Sequence, residues 1–459
     1  MDNGFDMKED KAGEIGAFEK WLAQNPGDAD SWAKLAETMK ADGDVDGAWQ
    51  AWARARETFR EQGRTLEAQN AGDRVRDLEK LGETLAKGEE VNIKHRPVTD
   101  EDESQDKYDP ANFLYVPRRR DDALVGLAVG DAFGAPWEGL PAPEMPFGPL
   151  LEGPRDRMVA GPHGLEVGQV TDDTQMACVL AEALCSNKTD AANLLRLYRE
   201  WRPYSIGIGN LTRRVLDMAP SLNPYEPARK AWRNSGKQAA GNGSLMRTAA
   251  IGVRYHTRRT ARIETSIADS SVTHADPRCI LACVAFNAIL AFGINGRYPP
   301  GPPSSLYPGA VAKARSDIRE AVDNLVDIRP EDATLFRAAE DVLGMDMEAA
   351  KGDDPGLYSG ELHMHRNKGY VRVAFRLALW ELLHAPTFEA ALIDVVNRGG
   401  DTDTNAVITG ALVGGYFGAS EIRNIPVEWE NAVFQALQDG PPGPLRDRYH
   451  LRNLIKITR

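Results

Sequence analysis

NRGGDTDTN, from Asn397 to Asn405, is the stretch around which this chain is organised. It places two carboxylates and two hydroxyls directly after two glycines, and the apolar run from Ala406 to Phe417 follows it as a predicted helix. One Asp or Thr is enough to cap a helix start, so the second Asp and the second Thr need another explanation. Clustered hard oxygen ligands suit Mg²⁺, Mn²⁺ or Ca²⁺ and do not suit zinc.

A matching cluster lies far upstream, at Thr171, Asp172, Asp173 and Thr174. It follows Gly168 and precedes apolar residues at helical spacing, which predicts a second helix that begins with paired carboxylates. Facing carboxylates from the two clusters would repel each other unless cations lay between them, so the pair predicts a binuclear site. The alternative is two separate helix caps, which would explain either cluster taken alone.

The composition narrows the class of protein. With 42% hydrophobic and 27% charged residues the chain is typical of a soluble globular protein, and its net charge of −13 argues against non-specific nucleic-acid binding. We expect no apolar run of transmembrane length and find no signal-peptide pattern, which predicts a cytoplasmic location and no membrane partner. Four cysteines at helical spacings are predicted to be buried, reduced core residues: Cys178, Cys185, Cys279 and Cys283.

Three segments are predicted along the chain. Residues 1–86 form a small helical unit, residues 87–116 a polar, acidic and flexible linker, and residues 117–459 the main domain. In the first segment helices are predicted over Ala12–Gln24, Ala29–Lys40, Val45–Arg60 and Leu66–Leu85. Apolar spacing in the second and third is that of a tetratricopeptide helix pair, with an unrelated helical bundle as the alternative. We expect this unit to bind a protein partner.

Small residues recur every four positions at Gly126, Gly130 and Gly134, which predicts a helix packed very closely against its neighbours. Glu138 follows that helix, and its carboxylate could face the metal site or belong to plain surface. No convincing alternating strand occurs after residue 120, so the predicted fold class is all-α.

A second kind of signal is the loop from Gly241 to Ser244, which opens a helical run. Such a loop can present backbone N–H groups to an anion such as phosphate, although many loops of this type are only turns. Farther along, His274 precedes a predicted helix from Cys279 to Phe292, where a histidine is more often a cap or packing residue than a catalyst.

Taken in order, these motifs resemble the ADP-ribosylglycohydrolase family. The matching pieces are Gly126–Glu138, Gly168–Leu184, Gly241–Gly252, Thr273–Arg278 and Asn397–Gly418. The resemblance covers about residues 120 to 435, and the N-terminal helical unit lies outside it. It implies a compact all-α fold with two divalent cations, Mg²⁺ or Mn²⁺, in a central cleft.

The resemblance also implies roles for individual residues. The implied metal ligands are Thr171, Asp172, Asp173, Asp401, Asp403 and Thr404. The implied catalytic carboxylates are Glu138, Asp172, Asp173 and Asp403. The implied lining of the ADP-ribose site is Gly241, Asn242, Gly243, Ser244 and His274. One segment departs from the family, which often carries an Asp where this chain has Ser205 and Asn210, so a different substrate preference is expected.

The activity that the resemblance implies is metal-dependent hydrolysis that removes ADP-ribose from a modified protein side chain or small molecule and releases free ADP-ribose. The linkage stays open among arginine, serine, O-acetyl-ADP-ribose and a nucleobase. One alternative is a binuclear phosphohydrolase acting on a nucleotide, because paired Asp residues and divalent metals serve that chemistry too. The other is a binding or immunity protein that sequesters an ADP-ribosylating toxin or its modified target.

Overall fold

The chain divides into two compact units, Met1–Leu114 and Tyr115–Arg459. The computed structural model describes residues 11–41, 115–141, 150–161, 164–219, 221–296, 303–358, 360–417, 424–436 and 448–458, together with individual positions between 48 and 74.

In the N-terminal unit, α1 spans Lys11–Gln24 and α2 spans Ala29–Ala41, in agreement with the first two predicted helices. Asp28 caps α2, because its carboxylate accepts the Ser31 backbone N–H at 3.0 Å and the Trp21 indole N–H at 2.8 Å. The two helices are thereby joined by a short, hydrogen-bonded turn.

A small apolar core lies between these two helices. Leu22 of α1 and Leu35 of α2 are buried in it, and the buried Ala48 and Ala51 pack against the same cluster. Residues 87–114, half of the predicted helix Val45–Arg60 and all but two positions of the predicted helix Leu66–Leu85 lie outside the described residues, so the tetratricopeptide assignment and the linker stay predictions.

Helices are the only regular secondary structure in the described part of the second unit, and non-helical segments connect them. Its helices are α3 (Tyr115–Gly134), α4 (Asp172–Cys185), α5 (Ala191–Trp201), α6 (Asn210–Leu216), α7 (Glu226–Asn234), α8 (Ala249–Arg254), α9 (Arg259–Ser271), α10 (Pro277–Ile294), α11 (Pro303–Ile328), α12 (Ala333–Ala349), α13 (Val371–His384), α14 (Phe388–Arg398), α15 (Thr402–Phe417), α16 (Val427–Ala436) and α17 (Leu451–Leu454). Short 3₁₀ turns occur at Ala135–Trp137, Arg202–Tyr204, Pro330–Asp332, Gly360–Leu362 and Ile455–Thr458. No strand occurs among the described residues, where an isolated bridge pairs Gly241 with Tyr370, and the all-α prediction is confirmed.

The helices α3 and α15 form the central pair of the unit, and they run antiparallel in very close contact. A Cβ atom at Gly126 would lie 2.3 Å from the carbonyl oxygen of Gly410, and one at Gly130 would lie 2.1 Å from that of Ala406. At Gly134 it would lie 2.4 Å from the carbonyl oxygen of Thr402. The glycine spacing therefore serves helix packing as predicted, and it brings the end of α3 against the acidic start of α15.

The helix α10 is the apolar centre of the core. It is long and apolar enough to cross a membrane by length and composition, which corrects the expectation that no run reaches that length. Its packing is that of a core helix, because 89% of it is buried inside the protein. Cys279 and Cys283 lie on it and are buried, and Cys178 is buried in α4. Cys185, at the end of α4, is exposed, so the prediction of a buried thiol is wrong there.

Candidate active site

The first acidic cluster is held in place by a carboxylate from another helix. Asp131 of α3 is fully buried and accepts the backbone N–H groups of Thr171 at 2.9 Å and Thr174 at 3.0 Å. Its oxygens also accept the hydroxyl groups of Thr171 at 2.8 Å and Thr174 at 2.6 Å. Since Asp131 supplies the cap of α4, the side chains of Asp172 and Asp173 are left for another role.

The second acidic cluster follows directly after a turn with a backbone conformation that only glycine adopts readily. Gly399 and Gly400 have φ values of 75° and 83°, in the left-handed region. Before them, Arg398 is fully buried and pairs with Asp394 one helical turn earlier, which anchors the end of α14. The carbonyl oxygen of Arg398 also lies 2.7 Å from the His365 Nε2 atom. The direction in which Asp401 leaves this turn is therefore fixed by buried contacts.

Three carboxylates meet where α15 begins. Glu138, Asp401 and Asp403 each offer an oxygen, and these oxygens all lie within 4.8 Å of one another. Glu138 follows the 3₁₀ turn after α3 and is exposed, whereas Asp403 is buried. The sequence left open whether the Glu138 carboxylate faces the metal site or belongs to plain surface. In the structure this carboxylate lies at the acidic centre.

Both clusters contribute to one acidic centre, as their electrostatics show. Burial first, and then the charges of Asp172, Asp131 and Asp401, raise the pKa of Asp173 well above its usual range, while a hydrogen bond with Thr404 opposes the rise. These residues come from α3, α4 and the start of α15. The two acidic turns therefore converge, which two separate helix caps would not require.

The other buried carboxyls respond in the same way. Burial followed by the charge of Asp131 raises the pKa of Asp172, and burial followed by the charges of Asp401 and Asp173 raises that of Asp403. At Glu138, loss of surrounding water and then the nearby charge of Asp401 raise the pKa. Ionised, such a group of carboxylates repels itself unless positive charge lies between its members.

The donor set fits divalent cations. One oxygen of Asp173, Oδ1, is buried and accepts no hydrogen bond from any described residue. A buried, unpartnered carboxylate oxygen among other carboxylate and hydroxyl oxygens is the arrangement that Mg²⁺ or Mn²⁺ would satisfy. Residues of this chain able to hold such ions are Thr171, Asp172, Asp173, Glu138, Asp401, Asp403 and Thr404.

A short segment borders the first cluster on its other side. The backbone N–H of Asp172 donates to the carbonyl oxygen of Ile206 at 2.7 Å. At Gly207, with φ of 87°, an added Cβ would lie 3.0 Å from an Asp172 carboxylate oxygen. The segment between Ser205 and Asn210 therefore lies directly beside the acidic centre, so its departure from the family pattern falls at the site itself.

The loop from Gly241 to Ser244 turns its carbonyl groups into the protein. The Gly241 carbonyl oxygen accepts the Cys279 thiol at 3.1 Å, and that of Gly243 accepts the Arg247 guanidinium at 2.9 Å. No described residue accepts a hydrogen bond from the backbone N–H of Gly241, Gly243 or Ser244. A loop with inward carbonyls and unpaired N–H groups is suited to bind an anion.

His274 lies beneath this loop, and Ser244, the last residue of the loop, is buried. The His274 ring is buried, with Nδ1 2.9 Å from the Thr273 hydroxyl, and a Cβ at Gly243 would come within 3.0 Å of the ring. Burial and then the charge of Arg247 lower the pKa of His274 to about 3, so the ring is neutral at ordinary pH. The Ser244 hydroxyl accepts that of Ser270 at 2.9 Å inside the core. Both side chains support the loop from inside.

A basic cleft of about 450 Å³ lies between this loop and the segment before α13. Arg278, Arg366, Lys368 and Tyr370 line it together with Gly241 and others. It adjoins the acidic centre, because a Cβ at Gly369 would lie 3.3 Å from the Asp401 Oδ2 atom. Cationic side chains, an aromatic ring and free N–H groups thus stand beside a centre of carboxylates.

The reasoning from sequence did not single out Asp131 or the lining of the basic cleft. A charged residue between Gly130 and Gly134, on a helix face that must be buried, is a signal that could have identified Asp131. The residues Arg366, Lys368 and Tyr370 come from a segment without a local motif. Their proximity to the Gly241 loop depends on tertiary packing.

Comparison with known proteins agrees with this arrangement. A family model described as ADP-ribosylglycohydrolase matches residues 117–455. The chain is 28% identical over 323 residues to ADP-ribosylarginine hydrolase Tri1 of Serratia proteamaculans, covering 68% of this chain and 74% of that protein. It is 24% identical over 366 residues to ADP-ribosylhydrolase ARH3 of Gallus gallus, covering 70% of this chain and 91% of that protein.

A solved structure resembles the chain in both fold and sequence. An ADP-ribosylglycohydrolase-related protein complex aligns with a TM-score of 0.52 and 26% sequence identity, covering 75% of this chain and 100% of that chain. The family match spans nearly all of the second unit, and the named relatives are hydrolases of ADP-ribosyl groups. On these grounds, the chain belongs to the ADP-ribosylglycohydrolase family.

Proposed function

We propose that this protein is a divalent-metal-dependent hydrolase that releases free ADP-ribose from a modified arginine side chain of a protein. The observation that carries the proposal is the hydrogen bond from the Asn242 Nδ2 atom to the Asp401 Oδ2 atom, at 2.8 Å. It ties a loop suited to a diphosphate directly to a centre suited to divalent cations. ADP-ribose carries a diphosphate next to a ribose, so one substrate can occupy both places.

The substrate's diphosphate would accept hydrogen bonds from the backbone N–H groups of Gly241 and Gly243, which are partly exposed. Arg278 and Lys368 would offset its charge from the cleft wall, and the Tyr370 ring offers an apolar face for the adenine. This places the distal ribose, whose C1″ carries the acceptor, toward Asp401. Binding energy from the nucleotide then serves to orient the reacting bond.

The acidic centre would supply the chemistry at C1″. Thr171, Asp172, Asp173, Asp401, Asp403 and Thr404 would hold two divalent cations, with Glu138 beside them. When bound, such ions would polarise the sugar and stabilise charge that develops in the transition state.

Proton movement falls to the chain's own carboxylates. Water attacks C1″, the bond from C1″ to the acceptor nitrogen breaks, and the acceptor leaves with a proton. Glu138 is suited to receive a proton from the water and pass one to the nitrogen, because it is exposed and its carboxylate lies beside Asp401 and Asp403 in the acidic centre. Asp172 and Asp173 would orient the water from the opposite cluster.

Arginine is proposed as the acceptor because Tri1 of Serratia proteamaculans, a relative with 28% identity, is an ADP-ribosylarginine hydrolase. The test is a panel of ADP-ribosylarginine peptide, ADP-ribosylserine peptide and O-acetyl-ADP-ribose, each incubated with Mg²⁺, Mn²⁺ or chelator. Free ADP-ribose is then measured by chromatography. We expect release from the arginine peptide with metal and none with chelator. Preference for another linkage would refute the arginine assignment, and release with chelator would refute the metal requirement.

The same panel addresses the phosphohydrolase function, and a protection assay addresses the binding function. A binuclear phosphohydrolase would release inorganic phosphate or a mononucleotide in place of ADP-ribose. A binding or immunity role predicts that a variant without activity, Asp401→Ala, still protects a target from an ADP-ribosylating toxin and loses protection when residues 1–114 are removed. That N-terminal segment forms a compact unit of its own, which is the feature that favours a docking partner for it.

A further inference from the structure

Asn242 is the residue at which the anion-binding loop, the segment before α13 and the acidic centre meet. Its backbone N–H donates to the carbonyl oxygen of Gly369 at 2.8 Å, and its side-chain Nδ2 donates to Asp401 Oδ2 at 2.8 Å. Its own carbonyl oxygen accepts the Leu245 N–H at 2.8 Å and the Met246 N–H at 3.1 Å. A single, nearly buried side chain therefore connects the loop to a carboxylate 159 positions away.

This contact takes up part of the capacity of the Asp401 carboxylate to accept hydrogen bonds and to ligate cations. An amide nitrogen only donates, so Asn242 Nδ2 cannot ligate a cation and takes up one acceptor site on Oδ2 of Asp401. The other acceptor sites of the Asp401 carboxylate remain available for a cation. Gly369 makes room for the contact, because a Cβ there would lie 3.3 Å from Asp401 Oδ2 and 3.6 Å from Asn242 Oδ1.

The same contact also constrains the loop. The neighbours of Asn242 are Gly241 and Gly243, which have no side chains to fix their orientation, and the partly exposed backbone N–H groups at these two glycines are the ones that a phosphate in the cleft would meet. Holding the Asn242 side chain at Asp401 holds the peptide planes on either side of it. A change in the position of Asp401 is then passed to the N–H groups that bind phosphate.

We propose that Asn242 is a positioning residue that couples phosphate binding at the loop to the placement of Asp401 in the acidic centre. The inference rests on the proposed function for the identity of the ligand, a nucleotide phosphate. Coupling of this kind is reciprocal: Asp401 affects phosphate affinity through Asn242, and loss of Asn242 affects cation affinity through Asp401.

The test is a double-mutant cycle read out by binding. Adenosine 5′-monophosphate is the probe, because it carries a phosphate for the loop but no distal ribose to contact the acidic centre. Its affinity is measured by calorimetry in chelator for the unmodified protein, Asn242→Ala, Asp401→Ala and the double variant. We expect Asn242→Ala to weaken binding about fivefold alone and by less than about twofold when Asp401 is already Ala.

The cycle removes the direct electrostatic effect of Asp401 on the nucleotide, because the Asp401 charge is present in both members of one comparison and absent from both members of the other. Asn367→Ala is the matched control: it removes an amide from the same cleft, whose nitrogen donates to the Glu361 carbonyl oxygen at 2.6 Å. Asn367→Ala is expected to change the affinity for adenosine 5′-monophosphate by the same factor in the unmodified protein and in Asp401→Ala. If Asp401→Ala does not fold, Asp401→Leu takes its place in the cycle, since it also removes both oxygens that could accept from Asn242.

A second measurement tests the affinity of the acidic centre for a cation. Mn²⁺ titrated without nucleotide should bind Asn242→Ala about fivefold more weakly than the unmodified protein or Asn367→Ala. Equal effects of Asn242→Ala in the two Asp401 backgrounds, or an unchanged Mn²⁺ affinity, would overturn the proposal. Failure of the monophosphate to bind the unmodified protein would overturn it as well, while continued release of ADP-ribose by the same protein would leave the proposed function standing.

Discussion

The Asp131 carboxylate lies 2.6 Å from the Thr174 hydroxyl and accepts its hydrogen bond deep inside the protein. This contact joins the central helix α3 to the first turn of α4. The same turn carries Asp172 and Asp173, which belong to the acidic centre. The cap of α4 thus comes from another helix, and the carboxylates of α4 are free to face the opposite cluster.

Asp131→Asn should therefore weaken Mn²⁺ binding about 10- to 100-fold, the range found when partners behind metal ligands are removed. The amide has one acceptor oxygen, so some N–H and hydroxyl donors of Thr171 and Thr174 would lose their partner. Calorimetric titration with Mn²⁺ measures the effect. Asp217→Asn, at an exposed pair with Arg202, is the control and should bind Mn²⁺ normally. Normal binding by Asp131→Asn would show that α4 keeps its position without this cap.

Asp403→Asn should abolish metal-dependent activity by at least about 100-fold and remove the stabilisation that Mn²⁺ confers on thermal unfolding. In chelator the same variant should be more stable than the unmodified protein, because it removes one of several buried carboxylates that repel each other. Thermal unfolding with Mn²⁺ and with chelator measures both effects. A variant that keeps its metal and its activity would refute the binuclear centre.

Gly130→Ala should destabilise the second unit by about 1–3 kcal/mol, because overpacking a close contact forces the backbone to move. Its Cβ would meet the Ala406 carbonyl oxygen at 2.1 Å, and neither helix has a flexible side chain there to yield. Gly209→Ala is the matched control, since nothing lies within 4 Å of a Cβ at that position. Chemical denaturation compares the two variants, and equal stability would contradict the close approach of α3 and α15.

His274→Gln should reduce the loss of stability at acid pH. The folded pKa of His274 is lowered to about 3, against an unfolded value of about 6.5. A lowered pKa means that the contribution to stability is present above about pH 6.5 and is lost as pH falls toward the folded value.

Between about pH 6.5 and pH 5 the unmodified protein should lose on the order of 2 kcal/mol more than His274→Gln, because each pH unit in this window costs about 1.4 kcal/mol. Denaturation at both pH values gives the difference. His256, whose pKa burial lowers to about 4, is common to both proteins and does not affect the comparison. Equal acid sensitivity would mean that His274 is not buried as a neutral ring.

Arg366→Ala should raise KM for an ADP-ribosylated substrate about fivefold and leave kcat nearly unchanged, because a cleft cation that contacts only the nucleotide binds ground and transition states alike. Steady-state kinetics separate the two constants. Arg366→Lys, which keeps the charge, should restore most of the affinity. Arg319 is exposed and does not line the cleft, so Arg319→Ala is the control for the change in net charge. A fall in kcat with unchanged KM would place Arg366 at the reacting bond instead.

Several features of the fold were predicted from local patterns. The all-α class followed from helical spacing without alternation, and the close packing of α3 followed from Gly126, Gly130 and Gly134. Helix bounds shifted by only a few residues where the signals were strong, as in α14, predicted to begin at Phe388 and found there. The burial of one side chain was predicted wrongly, because Cys185 at the end of α4 is exposed.

The sequence by itself determined the helices, the two acidic turns and the glycine loop, because capping residues, positive-φ glycines and apolar periodicity act within a few positions of the chain. Only the tertiary structure decided that Asp131 caps α4, that Glu138 faces the acidic centre and that Asn242 reaches Asp401. Those contacts arise where helices distant in sequence pack at a few ångströms, and such distances depend on how the whole core fills space.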